Sequence, residues 1–98
     1  MRKGVLELCI LSIIAEKDAY ASDIIEKLKE AKLIIVEGTL YPLLSRLKND
    51  GLTTYWWEES NSGPPRKYYQ ITDTGQVMLN DLKQGWRELA VAVEKIIA

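Results

Sequence analysis

Histidine is absent from the 98 residues, and so is phenylalanine. Without imidazole, nucleophilic triads, acid–base relays and most transition-metal sites lose their usual residue. The only adjacent carboxylates, Glu58 and Glu59, fall in a segment that reads as a strand, where neighbours point to opposite faces and cannot share a site. One cysteine, Cys9, cannot make an internal disulfide, and inside an apolar run it reads as a small hydrophobe. No apolar run approaches the roughly 20 residues that span a bilayer. Glu7 interrupts the leading apolar stretch, and no small-residue cleavage site follows it. The expectation is a soluble cytoplasmic protein with no membrane partner, no metal, no cofactor and no catalytic activity.

An excess of charge of either sign is also missing. The net charge is −1, and the first 70 residues balance ten basic against ten acidic side chains. Bulk charge gives no support to a nucleic-acid partner, so any such role must rest on local placement. Hydrophobic residues at 47% and charged residues at 28% are ordinary globular values, and the length allows one compact domain.

From Gly4 to Glu16 the apolar residues Val5, Leu6, Leu8, Cys9, Ile10, Leu11, Ile13 and Ile14 cover nearly the whole circumference of a helix, which must be buried on more than one side. Tyr20 to Lys32 is an ordinary amphipathic helix with Ala21, Ile24, Ile25 and Leu28 inward. A third helix starts with Gly38 or Thr39 as its N-cap, carries Pro42 in its first turn, buries Leu40, Leu43, Leu44 and Leu47, and stops at Gly51. Leu52 to Glu59 and Arg66 to Thr72 read as strands joined by the turn cluster Ser60 to Pro65. Trp56 and Trp57 then face opposite ways, so one of them joins the core, and Tyr68 and Tyr69 divide likewise, the outward one within reach of a phosphate.

Thr72 or Asp73 caps a last helix whose Leu79, Leu82, Trp86, Leu89, Val93 and Ile96 recur at alternating spacings of three and four. That seam is about 26 Å long at 1.5 Å per residue, longer than a small domain needs to close its own core. The spacing points to self-association, with these six residues as the dimer interface.

The order α-α-α-β-β is that of a winged helix-turn-helix: a mainly α fold with a small β-hairpin, here followed by one long C-terminal helix. The organisation reads as a DNA-binding unit over residues 1–72 and a dimerisation helix over 73–98. In such a module the third helix enters the major groove and the hairpin tip reaches phosphates or the minor groove. Thr39, Tyr41 and Ser45 supply small donors near the start of that helix, Pro42 shapes it, and Arg46, Lys48, Arg66 and Lys67 supply the flanking positive charge. Read as solvated surface and strand-edge charges, the same residues fit a winged-helix adaptor that binds proteins rather than DNA.

The run Glu37-Gly38-Thr39-Leu40-Tyr41-Pro42-Leu43-Leu44-Ser45-Arg46-Leu47-Lys48-Asn49-Asp50-Gly51-Leu52 resembles the reading-helix signature of the PadR family of bacterial transcription regulators. Gly63-Pro64-Pro65-Arg66-Lys67-Tyr68-Tyr69-Gln70-Ile71-Thr72, with Gly75 beyond, resembles that family's wing and its exit. The resemblance implies a homodimer joined by the C-terminal helices that binds double-stranded operator DNA and represses. In multidrug-binding members a tryptophan of that helix pairs with its dimer mate and stacks planar aromatic ligands. Trp86 holds a similar place, which makes Trp86, Leu8 and Glu7 the candidate ligand-binding residues. Ala90 departs from the acidic residue that some of those members carry, and Glu7 is the candidate to replace its charge. From its position on the apolar seam alone, Trp86 reads as core or dimer interface.

Overall fold

The computed structural model describes residues 3–59 and 62–98. Ser60 and Asn61 of the expected turn cluster, and Met1 and Arg2 of the expected 1–72 unit, lie outside the described residues. Helix α1 (Lys3–Glu16) is apolar on nearly every side, and its burial is shared between several neighbours accordingly. Ile10, Leu11 and Ile14 are fully enclosed in the core, while Leu6, Leu8, Cys9 and Ile13 pack at its margin against the surrounding elements. Burial pushes the Cys9 thiol above its ordinary range, in keeping with a packing role for this side chain.

Helix α2 (Ala21–Glu30) opens where the Tyr20 N–H donates to the Asp23 carboxylate at 3.0 Å, and it turns Ala21, Ile24 and Leu28 inward. It closes without a glycine. Lys32 takes φ 67°, and the Lys32 and Leu33 N–H groups donate back to Lys29 and Leu28 at 2.9 and 2.8 Å. Helix α3 (Glu37–Asn49) ends by the same pattern, this time with Gly51 at φ 77°: Gly51 N–H reaches Lys48 at 2.9 Å and Leu52 N–H reaches Leu47 at 2.9 Å. In both, the last carbonyls of the helix find donors and a leucine is drawn back onto the core.

The start of α3 corrects the sequence reading. Val36, not Gly38 or Thr39, is the N-cap, because its carbonyl takes the Thr39 and Leu40 N–H groups at 3.0 and 3.1 Å while Ile35 is buried just before it. Pro42 therefore stands in the second turn rather than the first, and the Gly38 carbonyl loses its helical donor. Gly38 is exposed, so water can satisfy that oxygen.

Strands β1 (Thr53–Glu58) and β2 (Arg66–Ile71) pair antiparallel from Thr53 opposite Ile71 to Glu58 opposite Arg66. Ala19 adds a single-residue third strand, exchanging N–H···O bonds of 3.1 and 2.8 Å with Tyr69. The hairpin is thereby fixed to the segment that leads into α2. Tyr69 and the half-buried Tyr55 take the inward positions. Neither Trp56 nor Trp57 enters the core, contrary to expectation, since the inward face of the short hairpin is already filled by the two tyrosines.

Helix α4 (Asp73–Ile97) is capped by the Thr72 hydroxyl, which accepts from Gly75 N–H at 3.0 Å and donates to the Gly51 carbonyl at 2.6 Å. Thr72 N–H donates to the Leu52 carbonyl at 3.1 Å. Only the first turns of α4 are enclosed: Gly75 and Leu79 are buried and Leu82 lies on the core's edge. Leu79 is thus corrected from dimer interface to intrachain core, at 0% exposure, because the seam begins where α4 crosses α1. The remaining turns project, and the molecule is 55 Å long against 27 and 21 Å across.

At Gly75 the helix and the start of the hairpin are in contact through backbone. A Cβ there would stand 1.9 Å from the Leu52 carbonyl oxygen and 2.8 Å from Ile71 Cγ1. Gly75→Ala is expected to destabilise the chain by about 1–3 kcal/mol or more, since a backbone oxygen cannot rotate aside. Urea unfolding at unchanged slope measures it. Gly38→Ala, with open space around its Cβ, is the control and keeps the parent midpoint or exceeds it. Equal midpoints for parent and Gly75→Ala would contradict the close approach.

Candidate nucleic-acid interface

Leu40, Leu44 and Leu47 anchor one face of α3 in the core, which dictates what the other face presents. Thr39, Tyr41, Pro42, Ser45 and Lys48 are all exposed on it, together with Asn49, which the sequence reading had not singled out for function. Asn49 follows Ser45 by one helical turn, and that spacing was the signal available for it. Arg66 and Lys67 face the start of this helix from β2. Between them lies a hollow of about 440 Å³ whose walls include Tyr20, Ser22, Glu37, Tyr41, Arg66 and Lys67. Helix α3, the beginning of α2 and the wing therefore share one surface, with the predicted donors on one side and two of the predicted basic residues on the other.

Aromatic rings hold the wing in that attitude. On its inner face, Tyr55 makes edge contacts with Trp57 and Tyr69, at centroid distances of 6.1 Å in both cases. Burial, with Tyr41 and Tyr55 nearby, raises the Tyr69 hydroxyl above its ordinary range. On the outer face, Tyr68 is stacked between Tyr20 at 4.0 Å and Trp56 at 4.5 Å. Trp56 Nε1 and Gln70 Nε2 both donate to Asp18, at 2.8 and 3.4 Å, and Tyr20 donates its hydroxyl to Glu58 at 2.6 Å. The bond to Glu58, then one to Tyr68, keeps the proton on Tyr20 well beyond the ordinary phenol range. Tyr68, the outward tyrosine expected to reach a phosphate, is instead held in this stack. Asp18, Tyr20 and Glu58 could not be found from spacing, since their partners lie 38 to 52 residues away.

Residues 10–81 match the model of the transcriptional regulator PadR-like family. The chain belongs to that family. It is 59% identical to a PadR-like transcription factor from Bacteroides fragilis whose X-ray structure superimposes with a TM-score of 0.87, over 98% of this chain and 93% of that one. A PadR-like transcriptional regulator from Bacillus cereus is 38% identical, with a TM-score of 0.86 over 97% and 93% of the two chains. A transcriptional regulator of Mycobacterium tuberculosis is 28% identical over 89 residues, 91% of this chain and 82% of the relative.

In this PadR-like chain Arg46, unlike its exposed neighbours on α3, is half-buried and paired within the chain. Its Nη2 donates to Glu7 Oε1 on α1, and its Nε lies 4.0 Å from Asp50 Oδ2. Arg46 thus joins α3 to a half-buried carboxylate on α1, and Glu7 is engaged with Arg46 rather than set in the groove beside Trp86. The groove between α1 and α4, about 280 Å³, is lined by Val5, Leu8, Leu82, Gly85, Trp86 and Leu89, with Asp81 as its acidic residue. Leu8 and Trp86 thus line one groove, and Asp81 rather than Glu7 is the acidic side chain in its walls.

Two carboxylates share the single guanidinium of Arg46. Burial, and next the charge of Asp50, raise the Glu7 carboxyl above its ordinary 4.5. The unfolded chain gives up this proton first, so between about 4.5 and the higher folded value the folded chain holds more protons and its stability falls as pH rises. Glu7→Gln has no such proton. The stability of the parent relative to Glu7→Gln is expected to decline with rising pH through that window and to level off above it, as measured by denaturant unfolding at a series of pH values. A relative stability that grows with pH would show that the attraction to Arg46 dominates.

Proposed function

We propose that this PadR-like chain is a homodimeric, DNA-binding transcriptional repressor without catalytic activity. The observation that carries the reading is the outward face of α3, where Thr39, Tyr41 and Ser45 stand beside Lys48 and across from Arg66 and Lys67. In this role α3 enters the major groove, Thr39, Tyr41 and Ser45 meet base edges and nearby phosphates, and Arg66 and Lys67 hold the backbone or the minor groove beside it. Residues 1–72 carry the DNA contacts and residues 73–98 join the two copies, in the cytoplasm.

Support for self-association comes from the free part of α4. Trp86 is 48% exposed, Leu89 42%, Val93 43% and Ile96 82%, and together they continue the seam beyond the point where the chain's own core ends. A monomer gains nothing from leaving such a stripe in water. A second copy laid along it covers the stripe and closes the groove between Leu8 and Trp86, leaving a slot suited to a planar aromatic molecule. A ligand there would regulate binding by changing how the two copies are set against each other.

Leu82 belongs partly to the core, so Leu89 and Val93 are the positions that separate dimerisation from folding. Leu89→Asp with Val93→Asp is expected to yield a folded monomer in sedimentation, each buried aliphatic side chain being worth about 1.5–3 kcal/mol to the interface. The same variant loses operator affinity steeply, because two half-sites are no longer held as one ligand. A dimer that survives both changes would refute the α4 interface. In cells, removal of the protein raises transcription from its target promoter; a fall would make it an activator.

A further inference from the structure

Two positive charges of the nucleic-acid face converge on one ring. Lys48 reaches the Tyr55 ring from α3, with Nζ 5.3 Å from the centroid, and Lys67 reaches it from β2, at 4.3 Å. The ring attracts each ammonium group, but the two repel one another. Among the described residues the ion pairs are those of Arg46 with Glu7 and Asp50, so neither lysine is neutralised by a carboxylate. Beside them, between α3 and the wing, is a notch of about 170 Å³ that also includes Ser45 and Asn49 and has no acidic residue in its walls. The larger hollow next to it does contain an acid, Glu37. Of the two, the small notch is where unbalanced positive charge gathers together with a neutral hydroxyl and a neutral amide.

We propose that this notch seats a single phosphate of the DNA backbone, held jointly by Lys48 from α3 and Lys67 from the wing. Two ammonium groups, one hydroxyl and one carboxamide can all donate to phosphate oxygens, and an anion between the lysines turns their mutual repulsion into attraction. The inference rests on the DNA-binding reading and adds to it a shared anchor. Because one phosphate is gripped by two elements, it fixes the wing relative to α3 and sets the depth at which α3 enters the groove. The anchor carries no sequence information.

A double-mutant cycle of Lys48→Gln and Lys67→Gln on the full chain, measured as duplex affinity over a range of salt, tests the sharing. Each single variant is expected to bind about tenfold more weakly, with the salt slope reduced by about 0.9 per protomer, and the double variant about as weakly as either single one. Replacing backbone phosphates one at a time by uncharged methylphosphonates should reveal one position per half-site that weakens the parent and leaves both single variants unaffected. Thermal midpoints check that the variants fold. Losses that multiply to about a hundredfold, with separate phosphate positions for the two lysines, would overturn the shared seat, as would unchanged affinity in either variant. Inorganic phosphate, titrated while the Tyr55 ring resonances are followed, separates the source of the anion from the site. A shift seen in the parent and lost in both variants supports the phosphate seat; the same shift in a parent that retains no duplex overturns the DNA backbone as its occupant, and no shift with no duplex bound overturns the seat itself.

Discussion

The Leu52 carbonyl occupies the space that any side chain at position 75 would need, and the placement of three elements depends on that approach. Leu52 stands in the short link between α3 and β1, and its N–H closes α3 by returning to Leu47. Its carbonyl takes the Thr72 N–H, and the Thr72 hydroxyl ties the Gly51 carbonyl to the Gly75 N–H in the first turn of α4. The end of α3, both strands of the hairpin and the start of α4 therefore meet in one knot of backbone hydrogen bonds. A rigid knot there means that the direction of α4 is set by the same atoms that set the direction of α3. For a protein that would join copies along one helix and contact DNA through another, that fixed angle is the structural requirement.

Charge is distributed with comparable economy. A chain with a net charge of −1 cannot hold DNA by its overall field, so the useful charges must be local and unpaired. Arg46 is spent on the join between α1 and α3, where Glu7 and Asp50 share it. Arg66 lies 5.3 Å from the Tyr20 ring, and Lys48 and Lys67 lie over Tyr55, so the remaining basic groups rest on aromatic surfaces that position them without neutralising them. The pair between Glu7 and Arg46 also places α3 one contact away from the α1 wall of the Trp86 groove, through the neighbouring Leu8.

Much of this was legible in the residues because local chemistry decided it. The periodicities of Leu40, Leu44 and Leu47, the stop at Gly51, the Thr72 cap and the basic-aromatic strand Arg66 to Ile71 all stand where the sequence placed them. What was missed depended on partners distant in the chain. Gly38 and Thr39 are good capping residues, yet burial of Ile35 pulls the helix start back to Val36. Arg46 carries no local mark that distinguishes it from Lys48, and only the presence of Glu7 on another helix gives it a partner within the chain. Strand alternation sends one of Trp56 and Trp57 toward the core, yet Asp18 and Tyr68 hold Trp56 in an outer stack and Trp57 stays exposed. A heptad seam announces a partner helix without saying whose it is, so Leu79 found α1 of its own chain.

Beyond Leu82 the seam is left partly exposed, and in the proposed dimer a second copy covers it and so sets the spacing of the two α3 helices. Pulsed electron spin resonance on the DNA-bound protein, with Cys9 replaced by alanine and a nitroxide carried by a cysteine substituted for the exposed Asn49, measures that spacing directly. Two reading helices in successive major grooves on one face of a duplex give a single narrow distance of roughly 34–36 Å, broadened by the label's own reach. No distance between labels, or one too short to bridge successive grooves, would contradict a dimer joined through α4.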